Sequence, residues 1–186
     1  MTTSAATRLV VLVGSLRKDS FNRRVAEAVV ERAPQGVEVV IADGLGEIPF
    51  YNQDLDAASV PPSAQRLREL VAGADGVLAV TPEYNGTMPA VLNNAIDWLS
   101  RPYGRGAITG KPFAAVGTTS SQYGGRWAHD HARRSAAIAG AVVPEHIEFS
   151  QTTTDVDVLG DEQVVSRLIA AVEALVAVEP RARAVA

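Results

Sequence analysis

Five short apolar runs, separated by longer stretches of helical period, constrain this chain more than any other feature. The runs are Leu9–Val13, Val37–Ile41, Gly76–Val80, Phe113–Val116 and Ala141–Val143. Continuous apolar runs without polar alternation suit strands covered on both faces, as in a parallel sheet. Between them the apolar residues recur at helical spacing. Phe21, Val25, Ala28 and Val29 share one helix face, and Leu67, Leu70, Val71 and Ala74 share another. Met88, Val91, Leu92, Ala95, Ile96 and Leu99 mark a third, and Val164, Val165, Leu168, Ile169, Val172, Leu175 and Val176 mark the last. A stretch over 126–139 is only weakly patterned.

Strand–helix alternation of this length implies right-handed crossovers and an α/β fold in three layers. Five strands favour a doubly wound parallel sheet of flavodoxin-like order 2-1-3-4-5 over the six-stranded dinucleotide fold. At 186 residues one domain is expected, with residues 179–186, around Pro180, as a flexible tail. The chain has no cysteine, which removes disulfides, a thiol nucleophile and thiolate-held metal or iron–sulfur centres from the candidate chemistries. A formal net charge of −4 argues against nucleic-acid partners. Apolar stretches fall short of the ~20 residues of a membrane span. The opening residues show no secretory pattern, so a cytoplasmic location is the expectation.

Ligands of doubly wound sheets lie beyond the carboxyl ends of the strands, where strand order reverses. The loops after the first, third and fourth strands are polar and carry glycine. The first, Gly14-Ser-Leu-Arg-Lys-Asp-Ser-Phe-Asn22, leaves a strand and opens a helix, so backbone N–H groups and the helix dipole converge. Ser15, Arg17, Ser20 and Asn22 add side-chain donors suited to a phosphate, where a charge-assisted bond is worth about 1.5–3 kcal/mol. The alternative is that Ser20 or Asn22 serves only as the helix cap. A Walker loop is absent, and Gly110-Lys111 leads into a strand rather than out of one. The second loop, Thr81-Pro-Glu-Tyr-Asn-Gly-Thr-Met-Pro89, holds an Asn85-Gly86 pair that tolerates positive φ, and prolines that delay the next helix until after Met88. The third loop starts with hydroxyls at Thr118, Thr119 and Ser120. His129 and His131, two apart, would point to different faces of a helix, so no metal site is expected there. No Gly-x-Ser-x-Gly elbow supports a hydrolase.

The segments Gly14-Ser-Leu-Arg-Lys-x-Ser-x-Asn22, Thr81-Pro-Glu-Tyr-Asn85, Asn94-Ala-Ile-Asp-Trp-Leu-Ser100 and Gly110-Lys-Pro112 resemble the NADPH-dependent FMN reductase family. Relatives of that family include bacterial quinone, chromate and azo-dye reductases. The resemblance spans about Arg8 to Gly140. It implies an FMN-dependent NAD(P)H oxidoreductase, with Ser15, Arg17, Ser20 and Asn22 on the FMN phosphate. Pro82, Glu83, Tyr84, Asn85 and Gly86 would border the isoalloxazine ring, largely through backbone donors, and Thr118, Thr119 and Ser120 would close the other side. NADPH or NADH would pass a hydride to flavin N5. A small acceptor (quinone, flavin, chromate or azo compound) would then take two electrons in a ping-pong route. The resemblance requires no catalytic side chain and no metal. It also implies a homodimer or homotetramer, to which the helix from Met88 to Leu99 and the Tyr51–Asp54 loop would contribute. Two departures stand out: Asn93 replaces the family's common lysine, and Ser121–Gly125 differs from the usual glycine pattern. The competing readings are a flavodoxin-like electron carrier without nicotinamide turnover, for which −4 is only mildly acidic, and a flavin-free scaffold.

Overall fold

The computed structural model describes residues 6–154 and 156–181. Residues 182–186 of the expected tail lie outside the described residues. Strands β1 (Thr7–Val13), β2 (Val37–Ile41), β3 (Gly76–Val80), β4 (Phe113–Thr119) and β5 (Phe149–Thr152) form one parallel sheet in the order β2-β1-β3-β4-β5. Helices α1 (Phe21–Glu31), α2 (Gln53–Ala58), α3 (Pro62–Ala72), α4 (Ala90–Leu99), α5 (Arg126–Ile138) and α6 (Glu162–Val176) connect and cover them. The doubly wound order predicted from strand count is the one observed.

The pleat of β1 sends alternate residues to opposite cores. Val10 and Leu12 pack with α3, α4 and α5 residues such as Leu67, Leu92 and Ala132. Leu9, Val11 and Val13 pack with Val25 and Val29 of α1 and Leu168 and Val172 of α6. Every residue of β3 is buried, which is why its run carries no polar alternation.

Two local expectations need correction, and one short helix is not anticipated by the sequence pattern. Ala141–Val143 is not the fifth strand: Val142 makes one isolated bridge to Pro112, and Pro144, which has no N–H to donate, stands where pairing would continue. The strand is Phe149-Ser-Gln-Thr152, an edge strand in which only Phe149 is buried, so no apolar run announces it. α2 also lacks any buried residue and hence any stripe. It is held from outside its own turn, because Arg68 grips Asp56 at 2.7 and 2.9 Å and also donates to the Trp98 carbonyl at 2.9 Å. That guanidinium lowers the Asp56 pKa. Finally, α4 begins at Ala90, not Met88, with Pro89 at its N-cap. The weak pattern of α5 has a plain cause, since its buried face is Ala128, His129, Ala132 and Ala136.

Among the described residues, no helix is long and apolar enough to cross a membrane. At the far end of the chain, the Arg181 amide donates to the Gly110 carbonyl at 2.8 Å.

Candidate functional site

The carboxyl ends of β1, β3 and β4 meet at the switch point between β1 and β3, and two glycines let them close up. A Cβ on Gly14 would collide with the Thr81 side chain, and one on Gly117 with the Thr81 carbonyl oxygen. The three loops that leave these strands enclose a cavity of about 160 Å³. Ser15, Arg17, Ser20 and Asn22 line one wall, Pro82 and Tyr84 a second, and Thr118, Thr119 and Ser120 a third. Nine of the twelve residues expected at the site therefore share one pocket. Asn85 lies on the neighbouring cleft, while Glu83 and Gly86 line neither.

The β1–α1 loop is a set of open donors. Among the described residues, the backbone N–H groups from Ser15 to Asn22 reach no protein acceptor. They sit at the positive end of α1, where an anion is favoured. Ser20 is the N-cap, its Oγ accepting from the Arg23 amide at 3.2 Å, which leaves its own hydroxyl hydrogen to give. Arg17 is exposed and spends one N–H on the Asp19 carbonyl at 3.1 Å. Across the pocket, the Thr118 hydroxyl is buried without a hydrogen-bond partner. No aspartate or glutamate among the described residues lines the cavity. An orphaned hydroxyl, unpaired amides and one guanidinium around an acid-free pocket fit a phosphate.

The Asn22 side chain, besides lining the pocket, is tied to the backbone of β4. Its Nδ2 donates to the Thr118 carbonyl at 2.8 Å and its Oδ1 accepts from the Thr118 amide at 2.9 Å. Oδ1 and one Nδ2 hydrogen of the buried amide thus brace α1 against the end of β4, which leaves the second Nδ2 hydrogen to give.

After β3 the chain makes a two-residue hairpin. Tyr84 and Thr87 exchange backbone hydrogen bonds at 3.0 and 3.1 Å, with Asn85 at φ 53° and Gly86 at φ 73°, as the Asn-Gly pair predicts. The amides of Glu83, Asn85 and Gly86 reach no acceptor among the described residues and are open to a ligand edge. The Glu83 side chain turns away, its Oε2 accepting from the Trp127 and Ala128 amides at 3.0 and 3.2 Å. Tyr84, half exposed, stands between the small cavity and an open cleft of about 690 Å³ bordered by Phe50, Tyr51, Met88, Pro89, Asn93 and Asp97. There Asn93 donates to Asp97 at 3.0 Å, and burial raises the Asp97 pKa against the pull of Arg101. The Asn94-to-Ser100 motif acts as scaffold. Asn94 bonds the Tyr51 amide at 2.8 Å, and Trp98 Nε1 donates to the Pro49 carbonyl at 2.8 Å.

Sequence reasoning missed His129 as part of this region. The ring is fully buried, with Nε2 3.3 Å from the Thr81 carbonyl and Nδ1 2.7 Å from Ser150 Oγ. A carbonyl can only accept, so Nε2 carries the hydrogen and Nδ1 accepts from Ser150. Burial holds its pKa down to about 4, with Arg133 adding to the effect and the Thr81 bond and Asp130 opposing it. His131 instead lies at the surface beside Thr87 Oγ1, at 2.7 Å. Thr153, also unforeseen, lines the cavity from the β5 side. No metal-ligating cluster of three or more His, Cys, Asp or Glu occurs among the described residues.

Comparison with known proteins identifies the family and fold relatives of this chain. The family model described as NADPH-dependent FMN reductase matches residues 7–154. A 2-hydroxy-1,4-benzoquinone reductase from a Burkholderia species is 43% identical over 144 residues, 77% of this chain and 78% of that protein. A quinone reductase from Pseudomonas putida is 45% identical over 127 residues, 68% of each chain. Among solved structures, a flavoenzyme NAD(P)H:(acceptor) oxidoreductase from Paracoccus denitrificans superimposes with a TM-score of 0.81 at 34% identity, covering 92% of this chain and 96% of its own.

Proposed function

We propose that this chain, which belongs to the NADPH-dependent FMN reductase family, is a single-domain FMN-dependent NAD(P)H oxidoreductase that reduces small acceptors of the quinone type. The observation that carries the reading is the acid-free pocket at the ends of β1, β3 and β4, walled by unpaired amides and a buried, unpartnered Thr118 hydroxyl. The amides from Ser15 to Asn22, the hydroxyls of Ser15 and Ser20 and the Arg17 guanidinium hold the FMN phosphate. Asn22 serves the same end by fixing Thr118. Pro82 and the backbone of Glu83, Asn85 and Gly86 present donors to the polar edge of the isoalloxazine, with the Tyr84 ring beside it. Thr118, Thr119 and Ser120 close the opposite wall.

Held by these residues, FMN would supply two-electron chemistry, with NADPH or NADH as donor and the small acceptor reduced in the second half of a ping-pong cycle. The protein's share is orientation and a preorganised set of N–H dipoles for the negative charge that develops on the ring edge. Quinones are favoured as acceptors because the two relatives above carry quinone reductase names. The chain works in the cytoplasm as a homodimer or homotetramer, with the open cleft beside α4 as the face available for assembly.

The test is one preparation. The purified chain is expected to take up FMN and turn yellow, to bleach on anaerobic addition of NADPH or NADH, and to turn over repeatedly once a quinone is supplied. Flavin that stays oxidised in the presence of both nicotinamides supports an electron carrier instead, and a chain that takes up no flavin overturns the proposal.

A further inference from the structure

The loop assigned above to the flavin edge is gripped twice by one element, the first turn of α5. Glu83 accepts from the Trp127 and Ala128 amides, two of the donors that a helix start leaves unpaired. The cap position itself is Gly125, which has no side chain to satisfy them. The next residue, the buried His129, donates to the Thr81 carbonyl, at the point where the chain leaves β3. Ser150 of β5 holds the other ring nitrogen. Between these two attachments lies Pro82, and just beyond them the Tyr84–Thr87 hairpin with its open amides.

We propose that Glu83 and His129 are positioning residues: together they fasten the β3 exit to α5 and so aim the open amides of Glu83, Asn85 and Gly86 at the flavin. The inference rests on the FMN reading for its ligand, but the fastening itself is a property of the chain. The geometry explains why an acidic residue can occupy a loop that would face a ring edge on which negative charge develops. Its carboxylate is turned onto the positive end of a 13-residue helix, while its own N–H remains available. It also accounts for a buried histidine that meets no ligand. A neutral ring with Nε2–H donating and Nδ1 accepting joins β3 to β5 through α5 and leaves neither nitrogen unpaired.

The test uses the full-length chain and four variants, Glu83→Ala, Glu83→Gln, Glu83→Asp and His129→Gln. Amide hydrogen exchange at Tyr84 and Thr87, the paired amides of the hairpin, is measured without flavin. The midpoint potential of bound FMN is measured separately. Loss of a charge-assisted bond is worth roughly tenfold or more in an equilibrium, so Glu83→Ala is expected to speed exchange at both amides about tenfold. It should also move the potential to more negative values. Glu83→Gln, which keeps an acceptor oxygen at the same reach but not the charge, restores both readouts in part, whereas Glu83→Asp, one methylene shorter, does not. His129→Gln shifts both in the same direction as Glu83→Ala, so it carries the test should the alanine variant not fold. A helix cap that mattered only for stability would lower the melting temperature and leave the potential where it was. Wild-type exchange at Tyr84 and Thr87 in Glu83→Ala and His129→Gln overturns the inference. Failure of the wild-type chain to bind FMN would sink the functional reading alone, since the exchange measurement needs no flavin.

Discussion

The buried imidazole of His129 makes the stability of this fold depend on pH in a defined window. The ring is held near a pKa of about 4 against an ordinary 6.5. Below the higher value the unfolded chain binds a proton that the folded chain refuses, so stability falls as pH drops from about 6.5 toward about 4 and then levels off. At roughly 1.4 kcal/mol for each pH unit between the two values, the full loss is about 3 kcal/mol, and about 2 kcal/mol of it is reached by pH 5. The lowered pKa of Asp56 acts in another window: its ion pair with Arg68 is lost only as pH falls below the ordinary carboxylate range. The assay is urea unfolding of the wild type and His129→Gln at pH 7.5, 6 and 5. Every other titratable group is common to both proteins, so the difference between their slopes isolates this ring. The wild type is expected to lose about 2 kcal/mol more than the variant between pH 7.5 and 5. Parallel curves for the two proteins would refute the reasoning, because they would mean the ring titrates alike in both states.

Three further outcomes are expected. Asn22→Ala leaves the buried N–H and C=O of Thr118 unpaired and should cost about 2–4 kcal/mol in denaturant unfolding; a loss below about 1 kcal/mol would show that water replaces the amide. Arg17→Ala removes the guanidinium lining the pocket proposed for the phosphate and should weaken FMN binding about tenfold in a fluorescence titration, an unchanged affinity placing the arginine elsewhere. Tyr84→Ala should depress steady-state quinone turnover more than FMN affinity, since the ring borders the open cleft as well as the pocket; equal rates with several quinones would count against that placement.

The central sheet was legible because Leu9–Val13, Gly76–Val80 and Phe113–Val116 are covered on both faces and can be nothing but apolar. β5 was not, because an edge strand reading Phe-Ser-Gln-Thr has one core residue, whereas the more apolar Ala141–Val143 is stopped by Pro144. The site loops were legible through their glycines, hydroxyls and position after the strands. What each polar side chain does within them was not. Asn22 meets Thr118 across 96 positions and Glu83 meets Trp127 across 44, and nothing local in either stretch specifies those partners. A residue type that suits a ligand suits a buried backbone equally well, and only the third dimension decides between them.

On the FMN reading, that division of labour also accounts for how a chain of net charge −4 would favour an anion. Arg17 is the one cation among the described residues lining the pocket, and it is exposed, so screening limits its share. The larger contribution must come from fixed dipoles: the α1 amides, the hydroxyls of Ser15 and Ser20 and that of Thr118. Dipoles act only when they are held in place, which is work done by other side chains of the fold. Asn22 holds the third wall by its backbone, and Glu83 and His129 hold the second by one helix end. Glu83 would repel an anion if it faced the pocket. Seated on the α5 amides, its charge is stabilised by the helix dipole, an effect of about 0.3–1 kcal/mol at such positions, and the backbone beside it becomes a donor. The same carboxylate that would spoil the site as a wall therefore completes it as an anchor.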